Sequence, residues 1–163
     1  LLGRVEDRRH RTRLPHVGRM TLQELLVREE ELRLTAYPDS KGYLTIGVGR
    51  CIDKRVPGAG LSRLEVLYLL NNDVAHVKRE LAAELPFTVT LLDETRRTIL
   101  EAMVFQLGLP HFLGFHHMIS AVQAQDWDTA ADEMLDSDWA RIDSPARAQR
   151  MADAMRSGKL SED

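Results

Sequence analysis

The residues with the clearest chemical potential are acidic and lie close together, between positions 29 and 39 of the chain. Glu29, Glu30 and Glu31 end a stretch of helical character, and Asp39 follows in a segment of turn residues. Two carboxyl groups that face each other across a gap can cleave a glycosidic bond, because one protonates the leaving oxygen while the other activates water or attacks the sugar. Helical periodicity puts Glu29 nearest the apolar stripe and Glu30 on its flank, so both stay candidates for the acid.

A short helix followed by a small sheet is expected to position these carboxylates. Thr21 and Glu24 have the spacing of a capping box, and leucines recur behind them at helical intervals, which predicts a helix over about 21–31. Turn residues follow, and then an apolar segment of aromatic and β-branched residues that glycines interrupt. This pattern predicts a β-hairpin or three-stranded sheet over about 34–52.

The rest of the chain is predicted to be helical. Ser62 and Glu65 form a second capping box, which opens an apolar run that predicts a long helix over about 62–85. The most hydrophobic helix is expected at about 93–107. Shorter helices are expected at about 116–124, 127–135 and 145–156. The predicted fold class is therefore α+β, mostly helical, with a small N-terminal sheet lobe joined by a long helix to a larger helical lobe.

The composition of the chain is that of an ordinary soluble globular protein. Of its 163 residues, 44% are hydrophobic and 29% are charged, which argues against disorder. No apolar run has the length of a membrane span, and no secretory signal is recognisable, so we expect no stable membrane insertion. Cys51 is the only cysteine of the chain, which excludes an internal disulfide, and we interpret it as a packing residue rather than a nucleophile.

A basic arm precedes the first predicted helix. Six arginines and two acidic residues give positions 1–19 a charge of +4, so the remainder of the chain carries −7. Such an arm can bind nucleic acid, but it has no aromatic residues for base stacking, and we interpret residues 1–20 as an arm or linker without a nucleic-acid partner. The first residue is Leu1 rather than methionine, which favours a piece of a longer protein.

One set of residues has a recognisable order along the chain. It comprises Glu30, Tyr37, Asp39, Gly42, Tyr43, Thr45, Ile46, Gly47 and Gly49, then residues 62–73, Met103–Gln106 with Gly108, Phe115, Trp127, Asp128, Ala130 and Ala131, and finally Trp139, Pro145, Arg147 and Arg150. This set resembles the phage-type lysozymes, the glycoside hydrolase family typified by the lysozyme of the T-even coliphages. The resemblance implies a lysozyme-like catalytic domain over 21–158, with a small lobe at about 33–61 and a helical lobe at about 62–158.

The activity implied by the resemblance is that of an N-acetylmuramidase, which hydrolyses the β-1,4 bond between N-acetylmuramic acid and N-acetylglucosamine in peptidoglycan. Carried over residue by residue, Glu30 becomes the general acid, Asp39 the carboxylate that activates the water, and Thr45 the hydroxyl that helps to place that water. The family cleaves with inversion, which predicts carboxyl groups about 6.5 to 9.5 Å apart. We expect Glu30 to stay protonated beside apolar surface and Asp39 to remain ionised in an exposed turn.

The resemblance also implies a sugar-binding groove, lined by Ile52, Phe105, Gln106 and Trp139, with Arg147 close to Glu30. Each of these has a plainer interpretation: Gln106 can satisfy backbone groups inside the core, Trp139 can be a packing residue, and Arg147 can be a surface charge. Three histidines raise the possibility of a metal site, but they lack a zinc-binding spacing; they are His111, His116 and His117. We therefore expect neither a metal nor a cofactor.

Three biological roles remain open at this point. A free endolysin would be made in the host cytoplasm, would act on the periplasmic cell wall and would need a holin for access. A virion tail-associated lysozyme would act at entry, and a catalytically inactive copy would be a wall-binding module. In each case the expected partner is the glycan strand of peptidoglycan, and the isolated domain is expected to be a monomer.

Overall fold

The computed structural model of the chain describes residues 21–30 and 32–160. The chain divides into two compact units, with the boundary between Leu61 and Ser62. The basic arm that we predict over residues 1–20 lies outside the described residues, as does Glu31.

The first unit begins with the helix α1, Leu22–Glu30. Its predicted capping box is confirmed, because the backbone N–H of Glu24 donates to Oγ1 of Thr21 over 3.2 Å while Oε2 of Glu24 accepts the N–H of Thr21 over 2.8 Å. Two N–H groups that have no partner within the helix are satisfied in this way. The helix begins where the sequence predicts it.

A three-stranded antiparallel sheet follows, in the order β1–β2–β3. Its strands are β1 at Arg33–Pro38, β2 at Leu44–Gly47 and β3 at Arg50–Cys51. The predicted sheet is confirmed, with bounds that differ by one residue at each end. Gly47 and Gly49 have φ angles of 68° and 77° on either side of the β2–β3 turn, a conformation that side chains with a Cβ rarely adopt.

Helices and their connecting turns make up the described residues of the second unit, with no strand among them. Its α-helices are α2 Arg63–Glu84, α3 Phe87–Thr90, α4 Glu94–Leu107, α5 Leu109–Leu113, α6 His116–Gln123, α7 Trp127–Leu135 and α8 Pro145–Ser157, with a π-helical turn at Trp139–Asp143. All five helices that the sequence predicts here are present. The predicted capping box at the start of α2 is confirmed, since Ser62 and Glu65 each accept the other's backbone N–H.

Three short elements were not predicted: α3, α5 and the π-helical turn. The prediction ended the most hydrophobic helix at about 107 and placed no element before about 116. Gly108 does end α4, but Pro110 lies in the first turn of α5, where a proline is tolerated because its missing N–H would have no helical partner.

The hydrophobic core of the described residues lies in the second unit. Helix α4 packs against α2, α5 and α8. It buries Ile99, Leu100, Met103 and Val104. Burial of each such side chain stabilises the fold by about 1.5 to 3 kcal/mol. In the described part of the first unit, by contrast, the two buried residues are both polar, Thr45 and Asp53.

Candidate active site

The loop between β1 and β2 holds Asp39 in a fixed orientation. Oδ1 of Asp39 accepts the backbone N–H groups of Lys41 and Tyr43, each over 2.8 Å. The backbone of Asp39 closes the same loop, because its N–H donates to the carbonyl of Tyr43 and its carbonyl accepts the N–H of Gly42, both over 2.9 Å. Asp39 is half-buried rather than exposed. The two backbone bonds occupy one carboxylate oxygen and leave Oδ2 for another donor, such as water.

A second acidic residue, Asp53, anchors the exit of this loop. Asp53 is 7% exposed, and its Oδ2 accepts the N–H of Leu44 over 2.9 Å. Oδ1 of Asp53 accepts both the backbone N–H and Nε of Arg55, over 2.9 and 2.8 Å. The side-chain hydrogen bond from Arg55, with the backbone N–H groups of Leu44 and Arg55, holds the pKa of Asp53 well below its usual range. A buried carboxylate is tolerated here because it is paired and fully hydrogen-bonded.

The guanidinium of Arg55 extends from Asp53 to the tip of the loop. Its Nη2 donates to the carbonyl of Gly42 over 2.7 Å and to Oδ2 of Asp53 over 2.6 Å. Its central carbon lies 5.2 Å from the centre of the Tyr43 ring. The hydrogen bond to Asp53 raises the pKa of Arg55, and the charge of Asp39 acts in the same direction. Asp53 and Arg55 therefore hold the loop that carries Asp39.

Thr45 lies in the middle strand of the sheet, where it pairs with Tyr37 on one side and Cys51 on the other. It is 4% exposed, and its Oγ1 donates to the carbonyl of Tyr43 over 3.2 Å. Because a hydroxyl has one donor and two acceptor sites, this bond leaves the oxygen able to accept a hydrogen bond from a second group. Thr45 is thus tied to the same loop as Asp39.

The structure distinguishes Glu29 from Glu30, which periodicity left as equal candidates. Glu29 is paired with its neighbour Arg28, whose Nε and Nη2 donate to Oε1 over 2.8 and 2.6 Å. Glu30 ends α1 near the β2–β3 turn, and the position where a Cβ of Gly49 would stand is 3.9 Å from its Oε2. That distance is an ordinary van der Waals contact. Glu30 is exposed at the end of a helix that buries no residue, so the apolar surface expected beside it is not seen in the described part of the first unit.

Three of the predicted groove residues lie together in the second unit. Phe105, Gln106 and Arg147 line one cavity of about 510 Å³. Nε2 of Gln106 donates to Oγ of Ser144 over 2.8 Å, whereas its buried Oε1 has no hydrogen-bond partner in the part of the chain that the structure describes. An amide anchored on one side, with a free acceptor on the other, is suited to binding a polar ligand.

Trp139 does not share that cavity. It is 3% exposed, and it lines a different cavity of about 460 Å³, together with the histidines His111, His116 and His117. Its ring meets the edge of Phe115 at 81°, with ring centres 6.5 Å apart, which supports the packing interpretation. The described residues contain no cluster of histidine, cysteine and carboxylate side chains that could hold a metal ion.

Ile52 belongs to the first unit, where its N–H donates to the carbonyl of Leu44 over 2.8 Å.

Sequence reasoning missed Asp53, Arg55 and Ser144. Asp53 and Arg55 stand two residues apart, the spacing of an aspartate that binds a nearby backbone N–H. That signal predicts a local turn, but it does not reveal that the pair binds a second loop.

No helix in the described ranges, 21–30 and 32–160, is long and apolar enough to cross a membrane.

A family model described as phage lysozyme matches residues 27–152. The pre-baseplate central spike protein Gp5 of Enterobacteria phage T4 is 28% identical in an alignment of 165 positions, which covers 86% of this chain but 28% of that protein. The probable T4-type lysozyme 2 of Dictyostelium discoideum is 26% identical in an alignment of 166 positions, which covers 87% of this chain and 97% of that protein.

Proposed function

This chain belongs to the phage lysozyme family, a family of peptidoglycan hydrolases, and we propose that it is an N-acetylmuramidase. It cleaves the β-1,4 bond between N-acetylmuramic acid and N-acetylglucosamine. The observation that carries the proposal is the Asp39 loop, which fixes one carboxylate oxygen with two backbone N–H groups and leaves the other for water. Glu29 is paired with Arg28, whereas Glu30 lies beside Gly49, and this difference supports Glu30 as the second carboxyl group.

In the proposed reaction, Glu30 donates a proton to the glycosidic oxygen as the bond from that oxygen to the sugar carbon breaks. Asp39 accepts a proton from the attacking water, whose oxygen forms the new bond to the same carbon. Thr45 helps to place that water with its hydroxyl. Because water attacks directly, the configuration at the sugar carbon is inverted.

Ile52 is a proposed substrate contact in the first unit, and Phe105, Gln106 and Arg147, which line one cavity, are proposed contacts in the second. Trp139, which is 3% exposed and lines a different cavity, is proposed as a packing residue instead. Phe105 offers an aromatic face that is 49% exposed, and such a face suits the apolar side of a sugar ring. Oε1 of Gln106 is a buried acceptor without a partner among the described residues, so a sugar hydroxyl or amide can reach it only after the side chain turns. Arg147 lies exposed at the same cavity as these two residues.

The test compares wild type with Glu30→Gln and Glu29→Gln on purified peptidoglycan. Loss of a general acid lowers turnover by about 10² to 10⁴, so Glu30→Gln should lose clearing of the suspension, whereas Glu29→Gln, which changes the same group one residue away, should keep it. Circular dichroism establishes that each variant is folded. Clearing by Glu30→Gln at the wild-type rate would refute the role of Glu30, and loss in Glu29→Gln alone would transfer it to Glu29.

The products of the wild type identify the bond. Reduction of the fragments with borohydride, followed by mass spectrometry, should find reduced N-acetylmuramic acid at the new ends. Reduced N-acetylglucosamine there would show cleavage of the other glycosidic bond and would contradict the proposal. The anomer that forms first, observed by NMR before it equilibrates, reports inversion or retention.

Two biological roles are proposed for this activity. An endolysin is made in the host cytoplasm and reaches the periplasmic wall when a holin opens the membrane, and an isolated monomeric domain suffices for it. The alternative is a virion-associated lysozyme that acts at entry, which the similarity to the T4 central spike protein favours. Peptides of this chain in purified virions, found by mass spectrometry, would support the second role, and their absence from intact particles would support the first.

A further inference from the structure

We propose that Arg55 is a positioning residue for the reaction, which acts by holding the tip of the loop that carries Asp39. This inference rests on the proposed function, since it requires Asp39 to activate water. Its basis is a chain of contacts within the first unit: Asp53 binds Arg55, Arg55 binds the carbonyl of Gly42, and the N–H of Gly42 binds the carbonyl of Asp39.

The geometry of the guanidinium is what suits Arg55 to this task. Nε donates to Oδ1 of Asp53 over 2.8 Å, while Nη2 donates over 2.6 Å to its Oδ2 and over 2.7 Å to the carbonyl of Gly42. A planar group with several fixed donors can make these bonds at once, whereas the single ammonium of a lysine cannot reproduce the paired geometry. The loop tip is thereby tied to a carboxylate that is itself buried and bound to the N–H of Leu44.

Apart from the pairing of β1 with β2 and the hydrogen bonds that Asp39 itself makes, the loop has no apolar packing to hold it in the described part of the first unit. The described part of the first unit buries only Thr45 and Asp53, so apolar packing does not fix the path from β1 to β2. The orientation of the Asp39 carboxylate depends on the backbone N–H groups of Lys41 and Tyr43. These two residues flank Gly42, the residue whose carbonyl Arg55 binds. Release of Gly42 therefore disturbs both donors together.

Arg55 is a better probe than Asp53. The Arg55 side chain is 61% exposed and that of Asp53 8% exposed, and ion pairs with an exposed member add little to global stability. Removal of Asp53 would take the acceptor from the N–H groups of Leu44 and Arg55 and would mix a stability defect with any effect on the loop. Substitution of Arg55 separates an effect on the loop from a loss of stability.

The primary variant is Arg55→Met, which keeps an unbranched stem over the Tyr43 ring but has no donors. Loss of alignment of this kind costs up to about a hundredfold in rate, so we expect kcat to fall about tenfold to a hundredfold, with KM changed less than threefold. Arg55→Lys should recover only part of the loss. Lys54→Ala is the matched control, because Lys54 is the adjacent cation and has no hydrogen bond or ion pair within the described residues.

A double mutant decides whether Arg55 acts through Asp39. If it does, Arg55→Met should lower kcat in the wild-type background and have no further effect on the residual kcat of Asp39→Asn, because groups that act as a unit are not additive. A full additional loss in the double mutant would overturn the inference. So would wild-type kcat in Arg55→Met while Asp39→Asn is inactive, an outcome that leaves the proposed function standing. Full activity of Asp39→Asn would instead refute the proposed role of Asp39 itself.

Amide hydrogen exchange gives a readout that does not depend on activity. The N–H groups of Lys41 and Tyr43, which donate to Asp39, should exchange at least tenfold faster in Arg55→Met than in Lys54→Ala, while amides of the α4 core stay unchanged. Equal exchange in both variants would overturn the inference, and faster exchange throughout the chain would show general destabilisation and overturn it as well.

Discussion

Arg96 is expected to be the most important single polar residue for the stability of the second unit. It lies in the first turn of α4, and its side chain is 13% exposed. Nε donates to the carbonyl of Met155 over 2.8 Å and Nη2 to that of Arg156 over 3.0 Å. These are carbonyls of the last turn of α8, which have no helical partner. The guanidinium also stacks on Trp127, 4.1 Å from the ring centre.

The cost of Arg96→Ala follows from these contacts. Hydrogen bonds to a charged group contribute about 1.5 to 3 kcal/mol each, and a partly buried cation–π contact about 1 kcal/mol. Water can reach the released carbonyls at the end of α8 and recover part of the loss, and the helix propensities of alanine and arginine are similar. We therefore expect about 3 kcal/mol of destabilisation, or about 6 to 12 °C in Tm for a chain of this size.

Urea unfolding followed by tryptophan fluorescence measures this change. The chain has two tryptophans, Trp127 and Trp139, and both lie in the second unit, so the signal reports its unfolding. Arg97→Ala is the matched control, because Arg97 is the next residue of α4 and makes no side-chain hydrogen bond or ion pair within the described residues. We expect less than about 0.5 kcal/mol for it. If the two alanine variants differed by less than about 1 kcal/mol, the reasoning would be wrong.

Two further predictions concern acidic residues and helix ends. Burial, the largest single influence on Asp93, raises its pKa, but the hydrogen bonds from the backbone and side chain of Arg96, with the charge of Arg96, lower it further than burial raises it. The resulting stabilisation is fully present above the unfolded pKa, near pH 4, and is lost as the pH falls through the folded pKa. The free energy of unfolding, measured from pH 6 to pH 2, should therefore fall less steeply in Arg96→Ala than in wild type. Parallel curves would contradict this. Ser62→Ala removes the acceptor for the N–H of Glu65 at the start of α2 and should cost about 1 kcal/mol in urea unfolding, whereas no measurable change would show that water replaces the cap.

The sequence predicts elements whose signals are local. Both capping boxes join residues three positions apart, Thr21 with Glu24 and Ser62 with Glu65, so each pattern specifies both partners and the start of a helix. The short elements α3, α5 and the π-helical turn were missed because four or five residues are too few to establish a helical period. Their backbone follows from the way that the neighbouring helices pack.

The site was harder to predict, because its contacts are not local. Periodicity could not separate Glu29 from Glu30, since the difference lies in the pairing with Arg28 and in the approach to Gly49, nineteen positions beyond Glu30 in the numbering. The resemblance to a known family, rather than the pattern of the residues, selected Glu30. Arg55 was missed altogether, because its partner Gly42 is thirteen residues away and no spacing rule connects them.

The two units are stabilised by different interactions, and this determines what mutations in each should reveal. The described part of the first unit buries only two residues, both polar, so hydrogen bonds rather than packing set the loop that presents Asp39. The second unit has an apolar core around α4, and Arg96 ties the start of that helix to the end of α8. A change at Arg96 should therefore lower the free energy of unfolding at unchanged kcat, whereas a change at Arg55 should lower kcat at nearly unchanged Tm. This reciprocal result is required if hydrogen bonding positions the candidate site and apolar packing stabilises the helical unit.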